Sequence, residues 1–266
     1  MPLSDTAELT GSLKTLLLRG LLAGLIAGLL AATVGYFVGE PKIDAAIAIE
    51  EAQAAAPTAG EGHSDGAAEA AGHSHGEEDE ATVSRPDQKR GQFLALALAG
   101  LAFGALLATA AGWARRFTTL SGPKLVLGLA LGGWLAIVLV PFFKYPANPP
   151  AVGDPETIND RTWLWVAAVL LGFAAVGIGV YVYRLLEKQP DTVRLIAGVA
   201  AFVLITAIGY ILLPGINEVK SDFPPSLLWE FRVASLAETA TLWISLGLAF
   251  AALTEFATRK QAQPVS

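Results

Sequence analysis

The chain holds three histidines, and all of them, His63, His73 and His75, fall in one Ala-, Gly- and Glu-rich stretch, where the string GHSHGEEDE sets acidic residues beside His73 and His75. Imidazole suits Co²⁺, Ni²⁺, Cu²⁺ and Zn²⁺, and neighbouring carboxylates add oxygen ligands. Such a tract captures metal weakly, because the ion must order the segment that binds it. A solvated acidic linker with incidental histidines is the alternative reading. Further oxygen ligands cluster in three polar segments: Glu40, Asp44 and Glu51; Asn148 and Asp154; and Asn217 and Glu218. Carboxylates and asparagine carbonyls serve a partly hydrated divalent cation, and they are also ordinary cap and turn residues.

Local spacing refines these candidates. Glu40 precedes Pro41 and reads as a helix start, with Asp44 and Glu51 following on one face. Carboxylates gathered this way repel unless a cation or an arginine lies between them. Asp154 before Pro155 likewise reads as a helix cap. Glu238 sits inside an apolar run, where an ion needs a partner or water; Arg232 and Arg161 are the expected partners.

The elements that must position these residues are membrane helices. Of 266 residues, 53% are hydrophobic and only 16% charged, well below the ~25% charged content of soluble domains. The apolar residues fall into six runs, roughly 17–39, 92–114, 125–143, 163–183, 195–213 and 233–253. Each is long enough to cross about 30 Å of hydrocarbon. The expected fold is an all-α polytopic membrane protein, one domain over 1–266, with six transmembrane helices arranged as three hairpins. Residues 52–84, rich in Ala, Gly and Glu, are expected to be a disordered loop. The series Gly20, Gly24, Gly28 and the pair Gly100, Gly104 are expected helix-packing faces.

Orientation follows from the short basic connectors. Lys14, Arg19, Arg115, Arg116, Lys124, Arg184, Lys188, Arg194, Arg259 and Lys260 share one side if both termini are cytoplasmic. The opposite side is then strongly acidic and attracts cations. The net charge of −6 argues against a nucleic-acid partner. With no cysteine, no Walker or hydrolase motif and no histidine in a span, an enzyme is not expected.

The strings LLRGLLAGLIAGLL, GEPKIDAAIAIEEA, KYPANPPAVGDPETI and LLPGINEV…DFPPSLLWEFRVASL, with the HSHG tract, resemble the CbtA family of cobalt transporter subunits in order along nearly the whole chain. The resemblance implies an inner-membrane subunit for uptake of a divalent metal, cobalt first and nickel or zinc as alternatives, linked to cobalamin synthesis. It implies a small CbtB-type membrane subunit as partner; lipid and a second copy of the chain are the other expected partners, and no cofactor is expected. The matched positions are Glu40, Pro41, Asp44, Glu51, Lys144, Tyr145, Pro146, Asn148, Pro149, Pro150, Asn217, Glu218, Trp229 and Arg232. A non-transporting scaffold or metal-delivery accessory is the alternative function.

Overall fold

The computed structural model describes residues 9–55 and 83–262. His63, His73 and His75, and most of the tract expected to be disordered, lie outside the described residues. The described chain is all-helical. Six helices are long and apolar enough to cross a membrane: α1 Leu13–Ala55, α2 Arg85–Phe117, α3 Gly122–Lys144, α4 Ile158–Leu185, α5 Asp191–Leu212 and α6 Pro225–Ala262. They contain the six expected runs, apart from Leu213 at the end of the fifth, and extend beyond most of them. Residues 52–55, expected within the disordered loop, are instead the last turn of α1.

The expected helix start at Glu40 is corrected. α1 runs unbroken through Pro41, because residues Gly35–Gly39 form a π turn in which the Glu40 N–H donates to the Gly35 carbonyl. Proline lacks an N–H, and its ring clashes with the carbonyl four residues back. A wider turn just before it removes that conflict. The same device recurs in α3, where Leu135–Leu139 form a π turn, the Val140 N–H donates to the Leu135 carbonyl, and Pro141 follows. The third proline of this kind, Pro214, instead follows the end of α5. Two of the three segments therefore share the same backbone solution.

Without water to drive association, membrane helices rely on close backbone approach. α1 lies between α2 and α6. Gly20 and Gly24 meet the backbones of Gly104 and Gly100, and Gly28 meets that of Leu96. These are the expected glycine faces, and they pack against each other. α3 packs on α6 through Gly133 beneath the Trp243 ring and Gly247 beside Ala130. α4 seats Gly172 on the Ala136 carbonyl inside the α3 π turn. α5 packs on α4 at Gly179 and Gly198. Leu16, Val126, Leu246 and Phe250 are fully buried at the centre.

α1 with α2 and α3 with α4 are packed neighbours. α5 and α6, consecutive in sequence, each make their main contacts elsewhere: α5 on α4, and α6 on α1 and α3. The third pair is thus not a packed hairpin. The outward rows of α5, including Leu195, Val199, Val203 and Ile211, are exposed, as a lipid-facing helix requires.

At one end of the bundle the Arg115 guanidinium donates to the carbonyls of Leu9 (3.1 Å) and Gly11 (2.9 Å), and Arg19 donates to that of Thr10 (3.2 Å). This ties the N-terminal segment to the α2–α3 connector. The end of α1, the start of α2 and the segments joining α3 to α4 and α5 to α6 lie at the opposite end, called here the loop end. A reporter active only outside the cytoplasm should work when fused near Gly153 or Asp222 and stay silent near Ser121 or Gln189. The reverse pattern would invert the expected orientation.

Candidate functional site

Apolar side chains bring the three loop-end segments together. Ala46 of α1, Val152 of the second segment, and Phe223 and Leu228 of the third form one buried cluster, with Ile49, Ala151, Val219 and Leu227 packed against it. Lys42 pairs with Glu230, and Gln53 donates to Asp222 (3.2 Å), so α1 is also tied to the third segment by polar contacts. Two distinct polar sets flank this cluster.

The first set joins α1 to α2. The Arg85 guanidinium reaches both Glu40 and Asp44 at 2.6 Å, and Lys89 reaches Asp44 at 2.6 Å and Glu40 at 3.9 Å. The carboxylates are four residues apart on one helix, and the two cations are four apart on its antiparallel neighbour. Arg85 thus lies between carboxylates that would otherwise repel. Arg85 and Lys89 were not among the candidates from sequence, although their spacing mirrors that of Glu40 and Asp44. The Glu40 side chain is only 8% exposed, so its pairing is protected from salt screening far more than a surface bridge. Glu51, two turns beyond Asp44 on the same helix, is exposed and is not part of this set of ion pairs.

The second set lines an open cavity of about 460 Å³ between the second and third segments, the start of α4 and Arg232 of α6. Asn148, Asn217 and Glu218 line it, with Tyr145, Trp165, Arg161 and Arg232. Arg161 Nη1 donates to Glu218 at 2.8 Å, and the Thr157 hydroxyl bonds the other Glu218 oxygen. Arg232 donates to the Asn148 side-chain oxygen (2.9 Å) and the Ala147 carbonyl (3.3 Å). The Asn217 side-chain oxygen accepts from the Val219 N–H (3.3 Å). The Tyr145 hydroxyl donates to the Pro214 carbonyl (2.7 Å), and burial pushes its phenol above the usual range, keeping it a donor. Gly153 adopts φ +135° where the Arg161 guanidinium passes, a conformation that glycine tolerates best.

The candidates therefore separate. Asn148, Asn217 and Glu218 share one cavity from two segments, whereas Glu40 and Asp44 face α2. Asp154 turns onto its own backbone: its carboxylate accepts from the Glu156 N–H (2.9 Å) and starts the short 3₁₀ turn Pro155–Thr157 ahead of α4. The cap expected at Asp154–Pro155 exists, but on that turn and not on the α-helix itself. Among the described residues no three His, Cys, Asp or Glu side chains come together in a metal-holding group.

The expected partners of Glu238 are also corrected. Arg161 is held by Glu218 and Arg232 by Asn148, both in the cavity. Glu238 instead meets Gln92 of α2, whose amide donates to it at 3.4 Å.

Together these features define a six-helix membrane protein with a polar, arginine-lined cavity at its loop end. The chain belongs to the CbtA family, described as probable cobalt transporter subunit, whose model matches residues 13–255. That is a transporter-subunit family, not an enzymatic one. No curated protein and no solved structure matches the chain.

Proposed function

We propose that this chain is a bacterial inner-membrane subunit for uptake of a divalent transition metal, Co²⁺ in the first place, supplying cobalamin synthesis. Both termini lie in the cytoplasm and the loop end faces outward. The observation that carries this reading is membership of a cobalt transporter subunit family across the whole six-helix body. His63, His73 and His75 raise the local metal concentration. Asn148, Asn217 and Glu218 then offer oxygens to a partly hydrated ion at the cavity mouth. Each of these oxygens already accepts a bond from the chain, so binding there is weak and exchangeable, which suits passage. Entry of a divalent ion down a 100 mV potential is worth about 4.6 kcal/mol, so no nucleotide-hydrolysing motif is needed.

An accessory protein that binds metal without moving it is the second reading. It is favoured by the internal bonding of the cavity oxygens and by the scarcity of ionisable groups in the spans. Purified chain in liposomes, with and without a small CbtB-type subunit, separates the two. Flux of Co²⁺, Ni²⁺ or Zn²⁺ under an imposed potential by this chain supports a transporter, and binding without flux in both preparations supports the accessory. Replacing residues 56–82 with a Gly/Ser linker of the same length should raise the metal concentration needed for half-maximal uptake severalfold while leaving thermal stability unchanged, since the connection between α1 and α2 keeps its reach. Unchanged uptake at every concentration would return the three histidines to a linker role.

A further inference from the structure

Glu238 is the one acid within the six apolar runs, and among the described residues no basic side chain lies within ion-pair distance of it. Its carboxyl is pressed against the π turn of α1. A Cβ at position 35 would overlap both Glu238 Oε2 and Gln92 Nε2, so Gly35 is the socket that admits them. The Gln92 Nε2 bond to Glu238 is long at 3.4 Å, and Gln92 Oε1 is buried without a partner. A carboxylate with one long bond and, on the amide that makes that bond, an oxygen with no partner are thus held at membrane depth with too few donors. Leaving them so is costly, and a cation removes the cost. The site also lies where the helix departs from regular geometry, as ion sites in membrane carriers do.

The charged surroundings are few. From α1, Glu40 is near enough to act on Glu238 as a like charge, with its own charge held by Arg85 and Lys89 of α2, while Tyr36 turns toward Phe93. From α2 comes Gln92. α3 carries only Lys124 and Lys144, at its two ends. On α6 itself the nearest cation, Arg232, is committed to the cavity. A carboxylate at 238 would thus stand next to a like charge without a counter-ion of its own.

We propose that Glu238, Gln92 and the Gly35–Gly39 π turn form a site for a monovalent cation, a proton or Na⁺, whose entry down its own gradient is coupled to entry of the metal. This rests on the uptake reading above and adds the energy source that reading leaves to the potential. A gradient of this cation equivalent to 100 mV supports about 50-fold accumulation per ion.

Difference infrared spectroscopy on the full chain in liposomes tests the site without metal flux. In Na⁺-free buffer near neutral pH, the protein should show a protonated-carboxyl C=O band that Glu238→Gln lacks. Persistence of the band when Na⁺ is added identifies the ion as a proton; loss of the band identifies Na⁺. A further variant, Gln92→Leu, should keep the band but shift it, because the helices retain their glycine contacts. Absence of any Glu238-dependent band, with no change on adding Na⁺, overturns the site. In transport, Glu238→Gln should lose gradient-driven Co²⁺ uptake and retain potential-driven uptake; full gradient-driven uptake in that variant overturns the coupling. A Glu238 band in a chain that moves no metal leaves the cation site standing and overturns the uptake reading it serves.

Discussion

Gly24→Val should leave little folded protein, with a steep fall in thermal stability followed through tryptophan fluorescence in detergent. The added side chain would start inside van der Waals distance of the Gly100 carbonyl, and Gly100 in turn sits against the Gly24 backbone. Neither partner is a flexible side-chain end that could swing away. α1 and α2 must separate, and α1 also carries the packing of α6. Overpacking of this kind costs about 3 kcal/mol, with little relief where backbone meets backbone. Gly91→Ala and Gly177→Ala are the controls. Both positions have open space around the built Cβ, so a helical alanine there should gain up to about 1 kcal/mol. Equal tolerance of Gly24→Val and Gly177→Ala would show that the α1–α2 contact is not what holds the bundle.

Arg161→Ala should also be severe, and for an electrostatic reason. Glu218 is 7% exposed and Arg161 33%, so removing the guanidinium leaves a buried carboxylate with only the Thr157 hydroxyl as a side-chain partner. Breaking a buried pair from one side costs about 3 kcal/mol or more. The double variant Arg161→Met with Glu218→Leu removes both charges and should recover most of that stability. A double variant no more stable than Arg161→Ala would mean that the arginine acts by packing alone. The recovered double variant also separates folding from function. It should fold yet lose metal uptake if Glu218 serves the cavity mouth, whereas full uptake would remove Glu218 from the route.

The six helices were legible before any coordinates because lipid imposes a length and forbids unpaired backbone groups, leaving few alternatives for runs of this composition. The glycine faces of α1 and α2 were legible for a related reason: the spacing of Gly20, Gly24 and Gly28 puts backbone on one stripe of a helix. The cavity was half legible. Asn148, Asn217 and Glu218 are polar residues flanking spans, and polar residues near a membrane surface draw attention. Arg161 was read as a partner for Glu238, and nothing local says that it lies nearer Glu218.

Composition, helix length and glycine spacing depend on local chemistry, so the all-α class, the number of spans and their strongest contact face could be read from residue order. Pairing, by contrast, is a property of neighbours in space. Arg85 meets Glu40 from 45 residues further along the chain, and only the antiparallel packing of α1 and α2 aligns the two four-residue spacings. Pro41 looked like a helix start because a π turn leaves no sequence mark distinct from a cap. The π turn keeps α1 continuous, and Glu238 and Gln92, from α6 and α2, fill the place of a side chain at its Gly35. The separation of α5 from α6 has the same origin: their connector is long enough for each helix to choose its own partner, and the glycines of α4 and the rings and small residues of α3 and α6 decide which.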